Sequence, residues 1–332
     1  MHLTPDDISI GITVYRRLDY LEQALRSAVM QTIPVRVLLY DDGCLDVDGI
    51  QRIVATFGGA VEYHRNPQTL GLFGNMNQCI DKSPTPWVSV LHDDDVLELD
   101  FVERVLAVST EVDQCCLFCG GTTYIDSTGK PFFIKKPSVS ERWGHLSAES
   151  FAVENQFSFP GQLMHAATAR RVGGFPEKSL YTGDWELWFK LTLEGGTVQL
   201  GTNLSYYRSH LGANRGTTAA SKSGRKTPCC AAQVKRNLAR LSDEDGNRPS
   251  FDREKWALNY GPLYRDLLAY AWEMPGWLLS YNRRLLLMTK PTSRTSHVLH
   301  WVSRILGNQG IRLAALARAF AALLGIVMPL PF

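Results

Sequence analysis

Long uninterrupted apolar runs are missing from these 332 residues. The most apolar stretch, Ile311 to Met328, is broken by Arg312 and Arg318 and falls short of the roughly 20 apolar residues that a spanning helix needs. Cysteine is scarce and poorly placed for a structural role: the 7 residues are odd in number, two pairs are adjacent (Cys115-Cys116 and Cys229-Cys230), and no CxxC or zinc-like spacing occurs. A disulfide framework is thereby excluded, and reduced, cytosolic thiols are expected. The N-terminus lacks the basic, apolar and small-residue succession of a signal peptide, so the catalytic part is expected to stay on the cytosolic side. No internal repeat is present.

What is present suits a globular protein. With 45% hydrophobic and 20% charged residues the chain can bury a full core and is not disordered. Its net charge of +2 is unevenly spread, because from Trp256 onward eight Lys/Arg face two Asp/Glu.

Hydrophobic periodicity then divides the chain. Ile8 to Val14 reads as a strand, and Leu18, Leu21, Leu25, Ala28 and Val29 recur at helical spacing. Strands are expected at Val35–Tyr40, Val61–His64 and Trp87–Leu91, with helices at Val47–Phe57 and Leu72–Lys82 between them. This alternation predicts an α/β fold with a mostly parallel, doubly wound sheet, whose ligand crevice lies at the carboxyl ends of the strands. Cys116 to Ile134 is strand-like around a turn at Ser127-Thr128-Gly129, and Glu149 to Val172 is mixed. A helix begins near Asp184, and Leu204 to Tyr207 is a last strand. Residues 212–250, rich in Gly, Ser, Thr, Lys and Arg, predict a mobile loop, a helix around Ala232 to Leu241 and a linker. A catalytic domain over residues 1–247 and a helical, basic C-terminal region over 248–332 are expected. The second region suits the membrane interface, because Arg and Lys accompany Trp272, Trp277 and Trp301. Nucleic-acid binding is not expected, since the basic residues run with apolar ones and no binding motif occurs.

Four places carry possible chemistry. Asp93-Asp94-Asp95 follow an apolar strand; three adjacent carboxylates repel one another unless a cation such as Mg²⁺ or Mn²⁺ compensates, or they cap a helix. Asp41-Asp42-Gly43 also ends a strand and reads as a turn or a ligand site. Asp184 opens the helix in GDWELWFK as either an N-cap or a general base, with Trp185 and Trp188 as core. His210, in YYRSHLGANRG, is a surface residue or, beside Arg208 and Arg215, a group facing phosphate or metal.

Taken in order, ISIGITVYRRLDYLEQALRSAVMQT, LLYDDG, NPQTLGLFGNMNQCI, WVSVLHDDD, RRVGGF, GDWELWFKL and YYRSH resemble the family 2 inverting glycosyltransferases of the GT-A fold, over roughly residues 8 to 212. The resemblance implies a donor-nucleotide site at Thr13, Tyr15, Asp42, Asn77 and Asp93, and a divalent ion (Mn²⁺ or Mg²⁺) held by Asp94 with Asp95 and His210. The family's Asp-X-Asp falls on His92, Asp93 and Asp94, so His92 replaces its first acid, and Gly183 replaces the Glu of the Glu-Asp pair that ends on the base, Asp184. The implied reaction moves a sugar from a UDP- or dTDP-sugar to a glycan or lipid-linked acceptor for cell-surface polysaccharide, at the cytoplasmic face of the inner membrane. Two other readings are a nucleotidyltransferase, which should carry a Gly-rich phosphate loop where TVYRRLDY has no glycine, and a non-catalytic sugar-binding relative.

Overall fold

The structure, a computed structural model, describes residues 1–177, 179, 181–210 and 226–241, together with Arg304, Asn308, Gln309, Ile311 and Arg312. The expected loop after His210, including Arg215, and nearly all of the region 248–332 lie outside the described residues. Among the described residues no helix is long and apolar enough to cross a membrane.

Met1–Phe151, Asn155–Ser179 and Gly183–Leu211 form one compact unit. Its first strand, β1 (Ile8–Val14), is buried at all seven positions, which is why ISIGITV reads as an unbroken apolar run and not as an alternating one. It pairs in parallel with β2 (Arg36–Asp41) and β4 (Trp87–His92), and β3 (Val61–Arg65) extends the sheet beyond β2. Crossovers run through α1 (Leu21–Val29), α2 (Val47–Ala55) and α3 (Gly71–Asp81). Ile8, Ile10 and Ile12 of β1 and Leu21, Ala24 and Leu25 of α1 share one core cluster and are fully buried.

Beyond β4 the sheet becomes mixed. The two-residue β5 (Val96–Leu97) and α4 (Phe101–Ser109) precede β6 (Leu117–Ile125), β7 (Pro131–Lys135), β8 (Trp143–Leu146), α5 (Ala148–Val153), β9 (Leu163–His165), α6 (Ala166–Arg171), α7 (Gly183–Gly195) and β10 (Thr197–Arg208). The strand order is β3-β2-β1-β4-β9-β6-β10-β5, with β7 on β6 and β8 on β10. The segment Glu149 to Val172 thus resolves into α5, β9 and α6. The strand expected at Leu204–Tyr207 is the end of a longer one, whose register on β6 shifts between Gln199 and Ser205 and hides its periodicity.

The second compact unit takes in Ala152–Glu154, Leu180–Thr182 and the chain from Gly212 on. Its described helix, α8 (Lys226–Arg240), starts six residues before the expected one, and Gln233 donates to Asn237 Oδ1 (2.7 Å) one turn on.

Candidate active site

Parallel strands bring their carboxyl ends to one edge, and the register of β1 sets Thr13 beside Tyr40 of β2 and His92 of β4. Thr13 Oγ1 lies 3.2 Å from His92 Nδ1. Tyr15, just past β1, keeps 39% of its surface exposed, with the Arg16 guanidinium 4.6 Å from its ring centre.

The turn after β2 is held by its two carboxylates. Asp41, fully buried, accepts from the amides of Gly43 and Cys44, from Tyr63 Oη (2.8 Å) and from Arg65 Nη1 (2.8 Å). Asp42 accepts from Asn66 Nδ2 (3.0 Å) and from the amides of Leu70 (2.7 Å) and Gly71 (2.8 Å). Gly43 completes the turn at φ 101°, where a side chain would be strained. Asn66 also donates to Asn75 Oδ1, whose own amide reaches Tyr40 O, so the ends of β1, β2 and β3 and the start of α3 form one polar block.

The acidic cluster divides by direction. Asp94 Oδ2 lies 2.6 Å from Arg17 Nη2 and 2.8 Å from His210 Nε2, and Asp93 Oδ1 is 3.8 Å from the same guanidinium. Asp95 turns elsewhere: its Oδ1 accepts the Arg208 amide (2.8 Å), and its buried Oδ2 has no partner. The Arg208 guanidinium is also spent, on Asp94 O (2.9 Å), Asp126 O (3.0 Å) and Gln23 Oε1 (2.6 Å), and it lies over the Tyr20 ring.

These surroundings set the charge. Burial, then the neighbouring Asp94, pushes Asp93 up to about 7. Burial and Asp94 also raise Asp95 well above the carboxylate range. For Asp94 burial works upward but is outweighed, and its pKa is lowered. Of the groups pulling it down, His92 acts only when charged; burial keeps that imidazole neutral, so His210 and Arg17 carry the effect. His92 stacks on Phe159 at 4.3 Å, and Phe159 in turn contacts Trp188 of α7. The His in the family's acidic position therefore belongs to an aromatic cluster.

Asp184 stands in the first turn of α7, where burial raises its pKa while the Trp185 amide and Asn155 favour the charged form. Asn155 Nδ2 is 3.2 Å from Asp184 Oδ2, and Lys135 Nζ binds the carbonyl of the same Asn155. A Cβ on Gly183 would come within 2.5 Å of the Phe73 ring, which is the local reason why no Glu precedes Asp184. Trp185 and Trp188 are buried core. Asn77 is clasped to Phe175, donating to its carbonyl (2.9 Å) and accepting its amide (2.8 Å), and a Cβ on Gly174 would collide with it.

Residues 9–159 match the model of Glycosyl transferase family 2. Over that stretch the chain is similar to glycosyltransferase family 2. Two relatives are uncharacterized glycosyltransferases of Rickettsia conorii (25% identical over 55% of this chain and 31% of that protein) and Rickettsia typhi (25%, over 55% and 58%). The chain thus matches well under two thirds of the length of either. Among solved structures, residues 1–349 of S. aureus TarS in complex with UDP-GlcNAc align at a TM-score of 0.59 and 14% identity, covering 95% of this chain and 92% of that one. GalNAc-T7 with UDP, GalNAc and Mn²⁺ aligns at 0.51 and 12%, covering 71% and 48%. At such identities the likeness concerns the fold, which is GT-A: a mostly parallel, curled sheet flanked by helices.

Proteins of that family commonly hold a divalent ion, and the fit of such an ion can be tested on the side chains here. Among the described residues no group of three His, Cys, Asp or Glu converges. Asp94 Oδ2 and His210 Nε2 nevertheless face each other, a carboxylate and an imidazole donor, and hard ions commonly take one or two protein ligands and complete their shell with phosphate oxygens. The pair fits that type of site. Sequence reasoning missed Arg17, Asn155, Asn66 and Asn75. Only Arg17 had a visible signal, a basic residue just past the first strand.

Proposed function

We propose that this chain is a family 2 glycosyltransferase, an inverting enzyme that moves a sugar from a UDP- or dTDP-sugar to a hydroxyl of a glycan or lipid-linked acceptor in cell-surface polysaccharide synthesis. The observation that carries the reading is the meeting of Asp94 with His210 at 2.8 Å, across 116 positions of sequence, at the rim of the parallel sheet. A bound Mn²⁺ or Mg²⁺ would there neutralise the charge that builds on the departing nucleoside diphosphate. Asp94 and His210 would hold that ion, Asp93 would face the ribose, and the exposed Tyr15 ring would offer a face to the base. Thr13, Asp42 and Asn77 back the nucleotide site through His92, the α3 N-terminus and Phe175. Asp95 shapes the loop from behind.

Asp184 is the base. It takes the proton of the acceptor hydroxyl as that oxygen attacks the anomeric carbon, the bond to the diphosphate breaks, and the configuration inverts without a covalent intermediate. Burial supports this role, since it makes the carboxylate a stronger base than one in water. The donor class is supported by the UDP-GlcNAc and UDP held by TarS, and the ion by the Mn²⁺ of GalNAc-T7. The basic C-terminal region would keep the enzyme at the cytoplasmic face of the inner membrane, near a lipid-linked acceptor.

The test is a nucleoside-diphosphate release screen across nucleotide sugars, with and without Mn²⁺. Release from one UDP- or dTDP-sugar that requires Mn²⁺ is expected. Pyrophosphate as product would instead indicate nucleotidyl transfer, and no release from any donor would indicate a binding protein. Replacing Asp94 by Ala should abolish Mn²⁺-dependent donor binding in calorimetry; unchanged metal dependence would remove Asp94 from the site.

A further inference from the structure

The place between Asp94 and His210 already contains a cation. Arg17 extends from the loop after β1 so that Nη2 is 2.6 Å from Asp94 Oδ2 and Nη1 is 3.0 Å from His210 Nε2. The arrangement is over-subscribed. If Nε2 bears the proton, Asp94 Oδ2 accepts from both it and Arg17, but Nη1 then points at a donor; if it does not, its lone pair faces a carboxylate. No tautomer satisfies all three groups, whereas an ion between Oδ2 and Nε2 satisfies both lone pairs once the guanidinium has left. Arg17 is able to leave: its side chain is 46% exposed, while that of Asp94 is 14% exposed. A planar guanidinium also pairs readily with phosphate oxygens, so an incoming diphosphate offers it a new partner.

We propose that Arg17 is a built-in occupant of the metal position, which fills the Asp94–His210 pair in the free enzyme and yields it when the ion arrives together with the diphosphate. This rests on the metal reading above, and adds that the ion and the donor bind cooperatively because one arginine must be displaced by both. The idle enzyme then holds little metal.

Mn²⁺ binding to the full chain, followed by electron paramagnetic resonance without donor or acceptor, tests the idea. Arg17→Gln and Arg17→Ala should each bind Mn²⁺ about tenfold more tightly than the unaltered protein. Adding UDP should tighten Mn²⁺ binding by the unaltered protein more than by either variant. Asp94→Asn, combined with Arg17→Gln, should remove the gain. Equal Mn²⁺ affinity in the unaltered protein and both variants overturns the role of Arg17 and leaves the metal reading intact, whereas a gain that survives Asp94→Asn overturns both, because Asp94 would then not hold the ion. Absence of Mn²⁺ binding in every protein, with and without UDP, overturns the metal reading and this inference with it.

Discussion

At the scale of the residue, Asp184, the proposed base, meets two opposed demands. A base must lose its proton near neutral pH, yet burial favours the neutral form and raises its pKa, with the Trp185 amide and Asn155 pulling the other way. The acid limb of kcat/KM should therefore lie above the ordinary carboxylate value of about 3.9, and Asn155→Ala should move it further up. A limb unmoved by that change would release Asn155 from this duty. For Asp184→Asn a fall in transfer of about 10² to 10⁴-fold is expected with donor affinity retained in calorimetry. The same shift has a stability consequence. The folded protein holds the Asp184 proton more firmly than the unfolded chain does, so the burden is absent below the unfolded pKa and grows as pH rises through the folded one. Asp184→Asn should thus melt at a higher temperature than the unaltered protein at neutral pH and at the same temperature in acid. Equal melting at both would mean that the carboxylate is not burdened by burial.

At the scale of the element, α3 depends on a single carboxylate. Asp42 accepts the amides of Leu70 and Gly71 at the helix start and the Asn66 side chain, and it is almost fully buried. Asp42→Ala strands three donors and should cost about 2–4 kcal/mol, read from the urea midpoint. The loss of donor binding that accompanies it would follow from the displaced helix. In α7, Gly183→Glu restores the family's acidic pair on paper, but the Phe73 ring occupies the space. Destabilisation by roughly 1–3 kcal/mol is expected, with no gain in transfer. The elements legible in sequence are those whose pattern is set by burial: β1, β2 and β4 are apolar runs between turn residues, and β3, which buries only Val61, is bounded by Asn66-Pro67. β5, β8 and the first half of β10 were not legible, because two-residue pairing and a shifted register leave no period to read. The candidate site divided in the same way. Thr13, Asp42, Asp93, Asp94, Asp184 and His210 stood out through motif order, whereas Asn66, Asn75 and Asn155 act through contacts between distant segments that no local pattern announces.

At the scale of the whole molecule, the basic C-terminal region is expected to bind anionic vesicles. Flotation of the full chain, but not of a chain ending at Asn247, is the expected result, and equal flotation of both would refute a tail anchor. The first compact unit has its own coherence. Arg208 closes β10 and joins it to Asp94 and Asp95, to Gln23 of α1 and to Asp126 beyond β6. The last residue of a strand ordinarily frays, and its amide proton exchanges with solvent within moments. Here that proton rests on a carboxylate 113 positions away, and the side chain beyond it fastens three more segments. Its deuterium exchange should be slow and should report global unfolding, so that the rim carrying Asp94 and His210 keeps its shape until the unit as a whole gives way.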